Sequence, residues 1–318
     1  MKHAGCIILA AALVAGASAV AQTPSWTVPA DSARCPSKWG AGDERGAANH
    51  MKPQTVLNAA KLIKTGEVIE LAHDLTMTMP LAAGRVYDMQ VKRTAVGTEA
   101  NKRNGNEEIM TAEMGQVGTQ FDGFAHQTHA NSHYNCFKTE DIATRTGFTK
   151  LGIEKVGMLM TRGVLIDVAG FKGVDMLPDT YEITVADLEG AIKKQNLTFQ
   201  PGDAIVVHTG WGKLWNTEPA RYAKGNPGLG IKASEFLIAK DPVLLGADTA
   251  PVEVNPNPDK TISLPLHQIA LVINGVHLLE NMKLDELAAK GVSEFAFVMQ
   301  PLKLQGATGS TVAPAALR

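Results

Sequence analysis

From residue 53 onward the apolar positions follow two rhythms. Val56, Leu57, Ala60 and Ile63 recur at helical spacing after Pro53, and Gly66 stops them. EVIEL then reads as a short strand. MQVKRTAV and EEIMTAEM alternate partially on either side of Asn104-Gly105, which predicts a hairpin turning at that dipeptide. Further on, strand and helix patterns alternate. RGVLIDVA (162–169), DAIVVHTGW (203–211), PVLLGADTA (242–250), VHLLEN and EFAFVMQP read as strands. Between them, Thr184 caps a helix carrying Val185, Leu188 and Ile192. LHQIALVI is a helix ending near Gly275, and LDELAAKG a short helix with Gly291 after its end. This alternation predicts an α/β fold. There is no linker and no internal repeat, so residues 22–318 form one predicted domain.

Composition narrows the picture. The 318 residues are 45% hydrophobic and 19% charged, with a formal net charge of −2. That suits a large buried core and gives no basic footprint for nucleic acid. The first residues follow signal-peptide grammar: Lys2 and His3, an apolar run from Ile7 to Val14, and Ala19-Val20-Ala21 before Gln22. The run is too short for a transmembrane anchor. The chain is therefore expected to be exported, to the periplasm or medium, with cleavage after Ala21 and no membrane segment in the mature form. Cleavage leaves Cys35 and Cys136, which either pair in an oxidising compartment or stay apart as buried thiols. No CxxC or Cys/His knuckle is present, which argues against a structural zinc site.

The candidate chemistry lies in MGQVGTQFDGFAHQTHANSHYNCF, residues 114–137. Within it, Gln116, Gln120, Asp122 and His126 are spaced as Gln-x-Gly-Thr-Gln-x-Asp-x-x-x-His. Positions 120 and 122 share a face if the backbone is extended, and Gly118 lets the chain turn so that 116 converges on them. Asp122 offers a hard anionic oxygen. His126 offers a nitrogen that binds metal or moves protons near neutral pH.

This stretch resembles the H-x-G-T-H-x-D-x-x-x-H signature of the cyclase family of metal-dependent hydrolases, which includes kynurenine formamidase and isatin hydrolase. WGAGDERGAAN, GDAIVVHTGW, NPGLG, LLGADT, LHQIALVINGVHLLENMKLDEL and FVMQPLKLQGATGSTVAP are similar to further family blocks, in the same order, over nearly the whole mature chain. The resemblance implies a mixed central sheet, swivelling and partly barrel-like, flanked by helices. It places the family's metal triad on Gln116, Gln120 and Asp122, and its catalytic histidine on His126. The remaining ligands fall on His267 and Glu280. Phe124 stands where the family usually has proline, and glutamine replaces histidine at 116 and 120.

A neutral amide oxygen is a weak ligand for zinc and suits harder cations, so manganese is expected over zinc. A site rearranged onto His126, His129 or His133, and a site with no metal, are the other two readings. The resemblance implies hydrolysis of a small cyclic or aromatic amide, imide, formamide or lactone. N-formylkynurenine in tryptophan catabolism is the best-known case. It also implies a homodimer or homotetramer. The competing reading is a metal-free pseudoenzyme or small-molecule binding protein.

Other residues carry weaker signals. Phe124 and Trp211 are candidate apolar walls of the pocket, and His208, at a strand end, is a candidate lining residue. His129 and His133 lie in a stretch rich in Asn and Ser and read as surface polar residues. Asp248 in GADT reads as orienting backbone. The glycine-rich segments lack nucleotide-binding spacing, GxSxG is absent, and nothing near Cys136 marks it as a nucleophile.

Overall fold

The computed structural model describes Met1 and residues 25–318; the predicted signal peptide, residues 1–21, lies outside the described residues apart from Met1. Eleven strands matter for the argument. They are β1 (Val68–Glu70), β2 (Tyr87–Val96), β3 (Asn104–Ala112), β4 (Gln120–Asp122), β5 (Leu159–Asp167), β6 (Ala204–His208), β7 (Leu244–Ala247), β8 (His277–Glu280), β9 (Glu294–Met299), β10 (Gly309–Thr311) and β11 (Ala315–Leu317). All but β2 and β3 form one nine-stranded sheet in the order β1-β11-β9-β5-β6-β7-β8-β4-β10, which curls into a half-barrel. Strands β5 to β8 are parallel neighbours. The flanking pairs are antiparallel.

The near-continuous apolar runs of β5 to β8 follow from burial on both faces. Val164, Ile166, Ile205, Val207, Leu245 and Leu278 face one core. There Leu188 of the helix Val185–Gln195 and Leu237 of the helix Ile231–Ile238 meet them. Leu165, Val206, Leu244 and Leu279 face the other core, packed with Phe295 and Phe297. Thr184 caps its helix as predicted, accepting from the Asp187 amide while Asp187 answers in a reciprocal capping box. LHQIALVI is one helical turn, Pro265–His267, that passes into a π-helix, Gln268–Asn274, with Gly275 left-handed at its end.

Strands β2 and β3 form a separate hairpin, on which Val91 and Val96 are 72% and 68% exposed. Its turn is not Asn104-Gly105. That dipeptide opens β3, where Gly105 pairs with Ala95 beside a bulge. A side chain at 105 would meet the Thr94 hydroxyl at 2.6 Å, so the glycine serves the bulge and the chain reverses before it. Cys35 and Cys136 are disulfide-bonded across 101 residues, with Cα atoms 6.0 Å apart. Among the described residues no helix is long and apolar enough to cross a membrane.

Candidate metal centre

The register of three strands builds the site. β4 lies between β8 and β10, and Gln120 is directly opposite Glu280. Residues opposite one another on antiparallel strands share a face, so the Gln120 Nε2 donates to Glu280 Oε2 at 2.7 Å. Asp122, two positions on, projects to the same side. The loop before β4 turns at Gly118 (φ +67°), where a Cβ would lie 2.1 Å from the Leu75 side chain. Asn281 holds that loop to the end of β8: its Nδ2 donates to Gly118 O at 2.8 Å, and the Thr119 hydroxyl donates to Asn281 O at 2.6 Å.

His267 enters from the helical turn after Leu264. Its Nδ1 faces Glu253 Oε1 at 2.6 Å, and the Leu266 and His267 amides also donate to the Glu253 carboxylate. Such a partner orients the ring and its tautomer, and leaves Nε2 pointing at Glu280 Oε1 (3.2 Å) and Asp122 Oδ2 (3.6 Å). Glu253 is the main site residue that the sequence pattern did not single out. The signal was a lone acid between Val252 and Val254.

Three buried oxygens at this point, Gln120 Oε1, Asp122 Oδ2 and Glu280 Oε1, have no hydrogen-bond partner. Buried acceptors left without a donor are costly. The side chains of Asp122, His126 and His267 bring ligand atoms within 4.8 Å of one another. Atoms bonded to one cation at about 2.0–2.2 Å lie a few ångströms apart in the same way. The donor set fits a divalent cation: two carboxylates, an amide oxygen and an oriented imidazole, rich in oxygen. The electrostatics agree. Burial, with the charge of Asp122 beside it, pushes the Glu280 carboxyl up to about 7. Burial alone would lower the His267 imidazole, but Glu253 and Glu280 outweigh it and hold it well above its ordinary value.

Gln116 is placed differently from expectation. Arg85 donates to both its backbone O and its side-chain Oε1, each at 2.8 Å. Its Nε2 therefore faces inward, 3.1 Å from Asp122 Oδ1 and 3.3 Å from His126 Nδ1. With its oxygen held by Arg85, Gln116 turns its Nε2, not an oxygen, toward Asp122. The His126 side chain is 18% exposed, with Nε2 4.0 Å from Asp122 Oδ2. Burial pulls its imidazole below the ordinary range, against the pull of Asp122.

Comparison with known proteins bears on the family and the fold. The family model described as "Putative cyclase" matches residues 50–254, more than half of the chain. The chain belongs to the cyclase family. A solved structure titled a novel cyclase is 32% identical, with a TM-score of 0.80 over 88% of this chain and 96% of that one. An isatin hydrolase bound to the product analogue thioisatinate shares the fold at 20% identity, with a TM-score of 0.60 over 84% of this chain and 99% of that one. Isatin hydrolase A from Ralstonia solanacearum does so at 19% identity, with a TM-score of 0.57 over 79% and 91%. A search of curated proteins found no match.

In this cyclase-family chain the other candidate residues lie elsewhere. Phe124 is core: its ring stacks on His277 at 4.2 Å and packs on Tyr134 at 4.6 Å. Trp211 is fully buried in a cluster with Val117, Trp215 and Tyr222. Neither forms a cavity wall, because both rings are spent on packing. His208 partners Asp167, Asp248 and Asp285 rather than the residues of the centre. Asp248 does orient backbone, accepting from Thr209 N at 2.9 Å. His129 is exposed as predicted. His133 is buried against Phe124 O and the Thr139 hydroxyl, in a loop tied down by the neighbouring disulfide. Neither joins the centre. The cleft beside the centre is lined by Leu81, Arg85, Gln116, Tyr222, Ala250 and Asn281, among others.

Proposed function

We propose that this chain is a metal-dependent hydrolase of a small cyclic or aromatic amide, imide, formamide or lactone. The observation that carries the reading is the convergence of three unpartnered buried oxygens on the Nε2 of a carboxylate-oriented histidine. Asp122, Glu280, Gln120 and His267 would hold the cation, and their oxygen-rich chemistry favours manganese over zinc. A cation bound there supplies Lewis acidity to the substrate carbonyl and a nucleophile from water at neutral pH. The chain's own groups do the rest. Glu253 keeps the His267 lone pair turned inward. Gln116 holds Asp122 by its second oxygen. His126 delivers a proton to the departing nitrogen or oxygen. The fold shared with isatin hydrolases supports a cyclic amide as the first substrate class to assay.

Elemental analysis of the mature protein, then chelation and add-back of manganese or zinc, tests the proposal. N-formylkynurenine, isatin and cyclic imides are the substrates. Bound metal with turnover restored by add-back is expected. A protein that takes up no metal and turns over none of them would be the metal-free binder instead. Export and self-association complete the proposal. The Cys35–Cys136 disulfide supports an oxidising compartment. The exposed apolar residues of the β2–β3 hairpin support a homodimer or homotetramer. Fractionation and light scattering test these two points.

A further inference from the structure

We infer that Arg85 is a positioning residue that, through Gln116, keeps the proton of the His126 imidazole on Nε2. The inference rests on the proposed role of His126 as the proton-transferring group, and it assigns work to a glutamine standing where the signature has histidine.

The argument is one of donors and acceptors. A guanidinium has five N–H donors and no acceptor. Arg85 reaches Gln116 twice, at the backbone O and at Oε1, each at 2.8 Å. Rotating the Gln116 amide would set its NH2 against the guanidinium, donor against donor, so its orientation is decided. Its Nε2 then has two hydrogens and two neighbours, Asp122 Oδ1 at 3.1 Å and His126 Nδ1 at 3.3 Å. The carboxylate accepts one. His126 Nδ1 must accept the other, so in the neutral ring the proton sits on Nε2.

Gln127 provides the check. Its amide lies 3.2 Å from His126 Nε2, so both ring nitrogens have an amide beside them, and a neutral imidazole accepts at only one. Gln116 is pinned and Gln127 is not. Gln127 is half-exposed, and His126 is its one side-chain partner among the described residues. It is therefore Gln127 that turns its oxygen toward Nε2. An Nε2 that carries a proton has no lone pair to offer a cation. The relay thus keeps His126 out of the ligand set, although it lies within reach of Asp122 and His267, and leaves its N–H on the side of the ring where the half-exposed Gln127 lies.

The test reads the tautomer directly. Metal-free protein carrying ring-15N histidine is examined by two-bond 15N–1H NMR, with His126→Gln identifying the His126 signals. The expected wild-type pattern is a proton on Nε2 and an unprotonated Nδ1. Arg85→Met releases the Gln116 amide and should move the pattern toward the other tautomer; Gln116→Leu should do the same. Arg85→Lys, with one donor group in place of a fork, should restore it in part. With substrate, kcat of Arg85→Met should fall by roughly 10–100-fold, and more than KM changes. A wild-type proton on Nδ1, or a pattern that neither Arg85→Met nor Gln116→Leu alters, overturns the inference. The two readings fail separately. An Nε2 proton in a protein whose His126→Gln variant keeps full turnover supports the relay and rejects the proton-transfer role. A dead His126→Gln with the wild-type proton on Nδ1 does the reverse.

Discussion

Two clusters of histidine and carboxylates occupy the carboxyl rim of the same parallel strands, and only one of them has the makings of a reactive centre. At the end of β6, His208 faces Asp167 at 2.7 Å, Asp285 at 3.6 Å and Asp248 at 3.9 Å. Near the end of β8, His267 faces Glu253, Glu280 and Asp122 at 2.6, 3.2 and 3.6 Å. By residue type the two are nearly the same. They differ in which atoms are left over. Around His208 the unpartnered atoms are His208 Nε2 and Asp285 Oδ1, a donor and an acceptor on opposite charges, so the cluster closes on itself. Asp248 has its oxygens taken by Thr209 and Gly212. Around His267 the three leftovers are all acceptors. Three acceptors facing the single His267 Nε2 outnumber the donors at hand and call for a cation. The first cluster braces the fold; the second is built to hold something.

Four variants bear on that contrast. Asp122→Ala removes an unpartnered oxygen and one of the two charges facing the cation. It should abolish both metal uptake and turnover, read by elemental analysis and assay; retained metal would mean that the centre is not built on Asp122. His126→Ala should lower kcat by about 10²–10⁴-fold with metal content nearly unchanged. Loss of metal in that variant would make His126 a ligand. Glu253→Gln, which frees the His267 ring, should weaken metal affinity by about 10–100-fold, seen by competition with a chelator.

His208→Gln should leave metal content and kcat of the folded protein alone and act on stability, costing about 3–5 kcal/mol where the imidazolium is charged. Burial alone would lower this imidazole, but Asp167, Asp285 and Asp248 raise it to about 10. Because the folded value lies above the unfolded one, of about 6.5, the stabilisation is complete below that pH and fades as pH rises toward 10. The gap in Tm between wild type and His208→Gln should therefore be widest at pH 6 and narrow steadily above it. A constant gap would show that His208 acts through packing and not through its charge.

Much of this molecule is legible along the chain. The apolar runs of β5 to β8 and the helices between them follow from period and capping, because burial on both faces of a parallel sheet leaves little else for those positions to be. Gln120 and Asp122 could be paired from their spacing, since residues two apart on a strand share a face. The GADT segment suggested Asp248 as a backbone orienter, and the Thr209 amide is the backbone it holds. The hairpin turn could not be read along the chain, because Gly105 serves a bulge whose partner residue, Thr94, lies on the other arm.

The sequence by itself determined the family, the α/β order of elements, and the segment where the chemistry gathers. Tertiary structure decided what each polar group in that segment does. Gln116 turned from expected ligand into a donor because Arg85, 31 residues earlier, holds its oxygen. Glu253 joined the centre because the turn that carries His267 lands on it. Phe124 and Trp211 became core because neighbouring rings cover them. A hydrogen bond has two ends, and the role of a polar side chain depends on which partner reaches it from elsewhere in the chain; only folding brings that partner into place.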